Sequence, residues 1–132
     1  MPRAPIIPAS LKDTYDRLHF APATRAGDMV YLSGVIAALE EGQAGTDEEY
    51  AAAVDQAFTQ IDMVLREAGG SMADIVDITS CHVDAPKHLL ALAGVKDKWI
   101  PEPYPSWTVI GTTGLFNPLG FVEIKVIAYI PQ

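Results

Sequence analysis

Apolar positions in the middle of the chain repeat at intervals of three and four residues, which predicts an amphipathic helix. Thr46 and Glu49 have the spacing of a capping box at its start, and Gly69 and Gly70 supply a left-handed stop at its end. The predicted apolar stripe is formed by Tyr50, Val54, Ala57, Phe58, Ile61, Val64, Leu65 and Ala68. We expect this stripe to cover one face of a sheet.

The segment Phe121 to Ile130 alternates with a period of two, which predicts the last strand. Val122, Ile124, Val126 and Ala128 fall on the side that suits a helix-covered core. The opposite side would carry Phe121, Glu123, Lys125 and Ile127. Because two large apolar side chains on a bare sheet face need cover, we expect this face to meet another subunit.

The remaining patterns predict one domain over residues 1–132, with the element order ββαβαββ. An extended arm is predicted over 1–16, followed by two short strands within 18–35 that turn at 26–28. After the helix described above come a strand over 75–83 and a second helix that begins at Asp84. The inward face of this second helix is formed by Leu89, Leu92, Val95 and Trp99, and it is followed by a strand over 107–112 and the last strand. This order predicts an α+β fold, a mixed sheet with both helices on one face.

Composition narrows the class of protein. The 132 residues are 49% hydrophobic, enough for a core without disulfides. Cys81 is the single cysteine, which suits a reducing compartment. Neither a signal peptide nor an apolar run of membrane-spanning length is present, so we expect a soluble cytoplasmic protein with no membrane partner. Seventeen acidic residues against nine basic ones give a net charge of −8, which argues against a nucleic-acid partner.

Most reactive side chains show no pattern of a site. His19, His82 and His88 lack metal-ligand spacing, so no metal is predicted. Cys81 and His82 are neighbours on a strand and point to opposite faces, which excludes a Cys–His pair. We expect Cys81 to be a small core residue and His82 a hydrogen-bonded interface residue.

Glu123 is the exception, because it interrupts an apolar strand. A buried, unpaired carboxylate is unfavourable. Two alternatives follow: an ion pair with Lys125 or simple exposure on the same face, or a functional position in a wet cleft.

Four motifs in order resemble the YjgF/RidA family over nearly the whole chain from Leu18 onward. They are the segments 26–34, 65–76 with Asp84, 104–108 and 121–128. The segments 104–108 and 123–128 look closest to the YjgH-like branch. The resemblance implies a chorismate-mutase-like fold and a homotrimer with a sheet-lined barrel and three inter-subunit clefts. It also implies hydrolysis of reactive enamines and imines, such as 2-aminoacrylate, without a cofactor.

The resemblance places six residues in the cleft: Phe20, Ser33, Gly34, Trp107, Val109 and Glu123. Glu123 is kept as the candidate catalytic group. Trp107 replaces the arginine with which the deaminases grip a carboxylate, Val109 replaces a common cysteine, and Phe20 replaces a common tyrosine. Arginine forms a bidentate fork that tryptophan cannot form, so we expect a substrate other than 2-aminoacrylate.

Three functions compete at this point. The first is an enzyme for a neutral or aromatic imine or enamine, with Glu123 moving a proton, backbone amides near Gly34 and Val109 polarising the reacting group, and Trp107 stacking on the small-molecule ligand. The second is a non-catalytic metabolite-binding or sensor module with the same clefts. The third is a ribonuclease or translation inhibitor, which the acidity weighs against. We rank the enzyme slightly above the binding module and both above the nuclease.

Overall fold

A computed structural model describes residues 2–132. The strands are β1 (Ala4–Ile6), β2 (Ala23–Ala26), β3 (Met29–Leu32), β4 (Val35–Ala38), β5 (Ile75–His82), β6 (Ser106–Gly111) and β7 (Gly120–Tyr129). The helices are α1 (Lys12–Leu18), α2 (Asp47–Glu67) and α3 (Leu89–Trp99), with short 3₁₀ turns at Ala9–Leu11, Met72–Asp74 and Ala85–Lys87.

The strands form one mixed sheet in the order β1-β2-β3-β7-β5-β6, with β4 pairing the first half of β7. The β5–β6 pair is parallel and the other pairs are antiparallel. Helix α2 packs on α3 and on β4, so that both long helices cover one sheet face. The predicted α+β architecture is confirmed.

Helix α2 has the predicted ends. The Thr46 hydroxyl accepts a hydrogen bond from the Glu49 N–H (3.2 Å), and the Glu49 carboxylate accepts one from the Thr46 N–H (2.9 Å). Gly69 takes the left-handed conformation after the last turn, with φ +89°. Every residue of the predicted stripe is buried except the half-buried Ala68.

Strand β7 alternates as predicted except at its start. Val122, Ile124, Val126 and Ala128 are each at most 1% exposed. Phe121 is also buried, so its predicted place on the outer face is wrong. The register passes from Ala37 opposite Val122 to Ala38 opposite Gly120. Phe121 is therefore the extra residue of a bulge, which turns its ring into the core.

The N-terminal segment differs from the predicted extended arm over 1–16. Met1 lies outside the described residues, β1 is extended, and α1 is a helix that the sequence pattern did not indicate. Lys12 pairs with Asp16 at 2.7 Å, and Arg17 pairs with Asp13 at 3.5 Å. These i,i+4 pairs support a helix that buries none of its residues, which is why no apolar stripe marks it.

Strand β4 was also not predicted, because its four residues follow Ser33 and Gly34 without a turn pattern of their own.

Within residues 2–132 no helix combines the length and the apolar character needed to cross a membrane.

Arg25 holds the last strand to the end of α2. Its guanidinium donates to the carbonyl oxygens of Ile130 and Ala68, each at 2.7 Å. Arg25→Met should lower the free energy of unfolding by about 2–4 kcal/mol, because it removes these two hydrogen bonds from a charged donor and a longer one to the Gly27 carbonyl oxygen (3.2 Å). Urea unfolding would measure this, with the exposed Arg17→Met as the matched control. Equal midpoints for the two variants would contradict the role of Arg25.

Candidate functional site

A cavity of about 210 Å³ opens where the β3–β4 connection passes beneath α1 and α2. It contains three of the six residues carried over from the family resemblance. The lining residues are Leu11, Thr14, Phe20, Pro22, Leu32, Ser33, Gly34, Val35, Gln60 and Val64. The N-terminal helix and the middle of α2 thus contribute walls that the sequence motifs did not indicate.

Gly34 connects this cavity to Glu123. A Cβ atom at position 34 would collide with the Glu123 side chain where it lies, so a larger residue there would displace the carboxylate. No hydrogen bond within residues 2–132 engages the Gly34 N–H. The Glu123 carboxylate therefore lies against the backbone of Gly34.

Ser33 has a structural task next to this pair. Its hydroxyl donates to the Ala21 carbonyl oxygen (2.7 Å), and its N–H donates to the Pro22 carbonyl oxygen (3.0 Å). These bonds hold the segment that carries Phe20, whose side chain is 44% exposed. Ser33 therefore positions Phe20 at the cavity instead of offering a free hydroxyl proton.

Glu123 is half-buried on the face of the sheet away from the helices. Its cross-strand neighbours are Ile36 and Cys81. The Lys125 ammonium donates instead to the Leu32 carbonyl oxygen at 3.1 Å. Of the two alternatives for Glu123, the ion pair with Lys125 is not formed within the described part of the chain.

Cys81 lies outside the core. It is half-buried beside Glu123 on the outer face, which corrects its expected place as a core residue. His82 faces the helices and is fully buried, so the two do point to opposite faces as predicted. The expectation of His82 as an interface residue is wrong, because its ring is enclosed within this chain.

Trp107 and Val109 occupy β6 at the edge of the sheet. The Trp107 indole N–H donates to the Ser80 hydroxyl at 2.8 Å, which places the ring on the helix-covered face. Val109 is 43% exposed on the same side. Glu123 and Trp107 therefore lie on opposite faces of one sheet. The six candidate residues form two groups that do not meet within one chain: the first is Phe20, Ser33, Gly34 and Glu123, and the second is Trp107 and Val109.

Strand β6, which carries Trp107 and Val109, forms one edge of the sheet. The Thr112 N–H donates to the His82 carbonyl oxygen at 2.8 Å. Because donors to a parallel neighbour recur at every second residue, the N–H groups of Trp107 and Val109 point away from β5. An unpaired row of donors is available there to a ligand or to another chain.

A row of buried polar side chains, which the sequence patterns did not reveal, stands behind Trp107. Ser80 bonds to His82 Nε2 at 2.7 Å, and His82 Nδ1 lies 3.0 Å from His88 Nε2. The histidine rings stack with their planes 10° apart. The strand alternation that puts Ile78 inward also puts Ser80 and His82 inward, and this was the available signal.

The hydrogen bonds along this row favour one proton arrangement. Ser80 accepts from Trp107, so its own proton is satisfied only by donating to His82 Nε2. His82 Nδ1–H then donates to His88 Nε2, which leaves a proton on the buried His88 Nδ1, an atom without a partner in residues 2–132. The reverse assignment would leave the Ser80 proton unsatisfied as well.

No group of three or more His, Cys, Asp or Glu side chains in residues 2–132 is arranged to hold a metal ion.

Comparison with known proteins identifies the family. The family model described as Endoribonuclease L-PSP matches residues 14–130. The RutC family protein YjgH of Escherichia coli (strain K12) is 35% identical over 132 residues, covering 98% of this chain and 97% of that protein. The chain belongs to the YjgF/RidA family.

Solved structures of the YjgF/RidA family have the same fold. A structure of protein YJGH has a TM-score of 0.84 at 31% identity and covers 100% of this chain and 99% of its own. RidA from the Antarctic bacterium Psychrobacter sp. PAMC 21119 has a TM-score of 0.70 at 28% identity, covering 84% and 88%. Rv2704 from Mycobacterium tuberculosis, at 23% identity, shares the fold with a TM-score of 0.78 over 97% and 99%. The YjgH-like branch indicated by segments 104–108 and 123–128 is confirmed.

The buried histidines make stability depend on pH. Burial lowers the pKa of His82, and burial with the nearby His82 lowers the pKa of His88 to about 4, although Asp84 opposes this shift. The folded state therefore binds fewer protons than the unfolded state below the ordinary histidine pKa. The stability is fully present above about pH 6.5 and is lost as the pH falls toward 4.

We expect the free energy of unfolding to fall by up to about 1.4 kcal/mol per pH unit for each such histidine within that window. His88→Phe should flatten the slope by one titrating group, whatever its effect on absolute stability. Urea unfolding from pH 7 to pH 4.5 measures both slopes. An unchanged slope in the variant would show that His88 is not the titrating group.

Proposed function

We propose that this YjgF/RidA protein hydrolyses a small imine or enamine in a cleft between subunits, with Glu123 as the catalytic group. The observation that carries the proposal is the Glu123 carboxylate, which has no ion-pair partner within residues 2–132 and lies against Gly34. A carboxylate held free of cations on a half-buried face is suited to accept and return a proton.

The reaction needs one proton acceptor and a water molecule. For an imine, Glu123 takes one proton from water as the water oxygen bonds to the imine carbon, and it passes this proton to the nitrogen to give a carbinolamine. Glu123 then takes the proton of the carbinolamine hydroxyl and delivers it to the nitrogen as the carbon–nitrogen bond breaks, giving a carbonyl compound and ammonia. The open Gly34 N–H would donate to the substrate and hold it against the carboxylate.

The substrate differs from that of arginine-bearing relatives. Trp107 has its single N–H committed to Ser80, and Val109 and Phe20 provide no hydroxyl or thiol. Their exposed apolar surface suits a planar or aromatic group. We therefore expect weak turnover of 2-aminoacrylate, whose carboxylate finds no bidentate fork here.

A binding or sensor module is the second candidate. The observation that favours it is the Ser33 hydroxyl, which donates its proton to the Ala21 carbonyl oxygen. Among the six residues carried over from the family, Glu123 therefore has no free hydroxyl to work with.

A ribonuclease is the least supported function, because four of the basic side chains already pair with neighbouring aspartates. These pairs are Lys12–Asp16, Arg17–Asp13, Arg66–Asp62 and Lys87–Asp84.

A homotrimer would bring the two groups of site residues together. The outer sheet face exposes apolar side chains without cover, including Tyr31, Ile110 and Tyr129, and the β6 edge is open. Such surfaces favour association. Because Glu123 and Trp107 lie on opposite faces, a second chain is the simplest way to place both at one cleft.

Sedimentation at micromolar concentration should therefore give a trimer. Ile110→Glu, on the outer face, should dissociate it, because the carboxylate would be buried in the contact. Leu90→Glu is the matched control, since Leu90 is 87% exposed on α3. A wild-type monomer, or equal dissociation by both variants, would contradict this assembly.

Glu123→Gln keeps the shape of the side chain and removes the proton acceptor. Turnover of imines released by an amino-acid oxidase should fall by at least about 100-fold, with trimer size and melting temperature unchanged. Glu67→Gln, an exposed change of equal charge, should keep full activity. A destabilised trimer with activity intact per folded molecule would make Glu123 structural. Ligand binding without turnover in the wild type would favour the sensor module.

A further inference from the structure

Lys96 is a buried cation that the proposed reaction does not use. It lies on α3 and is 7% exposed, on the inward face with Leu92 and Val95. The helical pattern alone would place an apolar residue at such a position. A lysine at such a position buries its stem, while its ammonium group must reach solvent or a partner.

The surroundings of Lys96 satisfy that ammonium only in part. Its Nζ lies 4.9 Å from the centre of the Trp107 ring and 5.7 Å from that of Tyr104. Asp97 is 3.7 Å away, but its side chain is 68% exposed, whereas that of Lys96 is 9% exposed. The ammonium donates no hydrogen bond within residues 2–132. Aromatic faces attract a cation, yet they leave its three N–H donors unused.

The other basic residues are hydrogen-bonded, ion-paired or exposed. Arg25 and Lys125 bond to backbone carbonyl oxygens, four others form the aspartate pairs described above, and Arg3 and Lys98 are exposed. Lys96 therefore combines burial, aromatic neighbours and unused donors.

Lys96 lies close to Trp107, one of the residues assigned to the cleft. The Trp107 ring stands where deaminases of this family carry arginine, and the Ser80 hydroxyl fixes that ring. Lys96 thus brings a positive charge near the same place from behind the ring, on a different element of the fold. Tyr104, which is 63% exposed, forms the other aromatic wall.

We propose that Lys96, Trp107 and Tyr104 form an anion subsite that binds the carboxylate of a planar ligand. The subsite deepens the proposed function and rests on it only in assigning Trp107 to the cleft. A lysine ammonium is a point charge, unlike the arginine fork. The flat walls therefore select a ligand larger than 2-aminoacrylate, and the neutral compound expected from the sequence becomes a carboxylate.

Binding can be measured through Trp107 alone. In a Trp99→Phe background Trp107 is the one remaining tryptophan, and its fluorescence reports on the subsite. Phenylacetate should change this fluorescence saturably, and the neutral phenylacetamide should bind about 10- to 100-fold more weakly, since it lacks the charge-assisted contact. Lys96→Gln should weaken phenylacetate binding by the same factor and leave phenylacetamide unchanged.

Lys98→Gln is the matched control, because it removes the same charge from an exposed position two residues away; it should bind phenylacetate as the parent does. Lys96→Met keeps the apolar stem and replaces Lys96→Gln if the latter fails to fold. Equal affinity for acid and amide, an unaffected Lys96 variant, or no saturable binding by the parent would overturn the proposal.

Two further results distinguish an anion subsite from a role of Lys96 in assembly or in hydrolysis alone. Dissociation of the assembly by Lys96→Met, with Lys98→Gln intact, would mean that Lys96 pairs with a carboxylate of a neighbouring subunit, and this would also overturn the proposal. Phenylacetate affinity should persist in Glu123→Gln. Failure of hydrolysis with intact, Lys96-dependent binding would refute the proposed function and leave the anion subsite standing.

Discussion

Strand β7 is hydrogen-bonded along both edges, to β5 on one side and to β3 and β4 on the other. Its inward side chains from Val122 to Ala128 are almost completely buried. A shift of register by one residue would carry Glu123 and Lys125 into that core, so the pairing is strongly fixed. The place of Glu123 follows from this constraint. Gly34 is linked to it, because any side chain at position 34 would displace the carboxylate from this place.

The helix-covered face of the sheet also contains polar groups, where a continuous apolar core would have been simpler. Ser80, His82 and His88 replace it with hydrogen bonds that end at Trp107. Such a row is favourable only while each member has a partner. One nitrogen of this row, on His88, has no partner within residues 2–132, a cost that a role in fixing the indole would offset. A ring held by its N–H cannot rotate freely, so the surface that it offers is rigid.

Periodicity was sufficient to predict α2 and most of β7, since each has one apolar side. The capping box of α2 was predicted from the residue types and spacing of Thr46 and Glu49. Periodicity could not predict α1, whose stability comes from ion pairs on a helix without buried residues, nor the inward turn of Phe121, which depends on a bulge set by β4. For the site, the motifs assigned Glu123 and Gly34 to one cleft, and the structure places these two residues against each other. Lys96 was missed because its burial depends on contacts with Trp107, which periodicity within one element does not reveal. The alternation of β5 points His82 inward, but it does not reveal the contact with His88.

The net charge of −8 would by itself oppose an anionic ligand. Surface charges are screened over roughly 10 Å at ordinary ionic strength, however, whereas a cation enclosed by protein is screened much less. The acidic surface therefore discourages unspecific binding of anions, and a single ammonium near two aromatic rings can still attract a carboxylate at short range. Because aromatic faces stack on flat groups, selectivity would come from the combination of the rings and the charge. A site divided between an acid on one sheet face and a cation on the other would then recognise both ends of a substrate only when subunits meet.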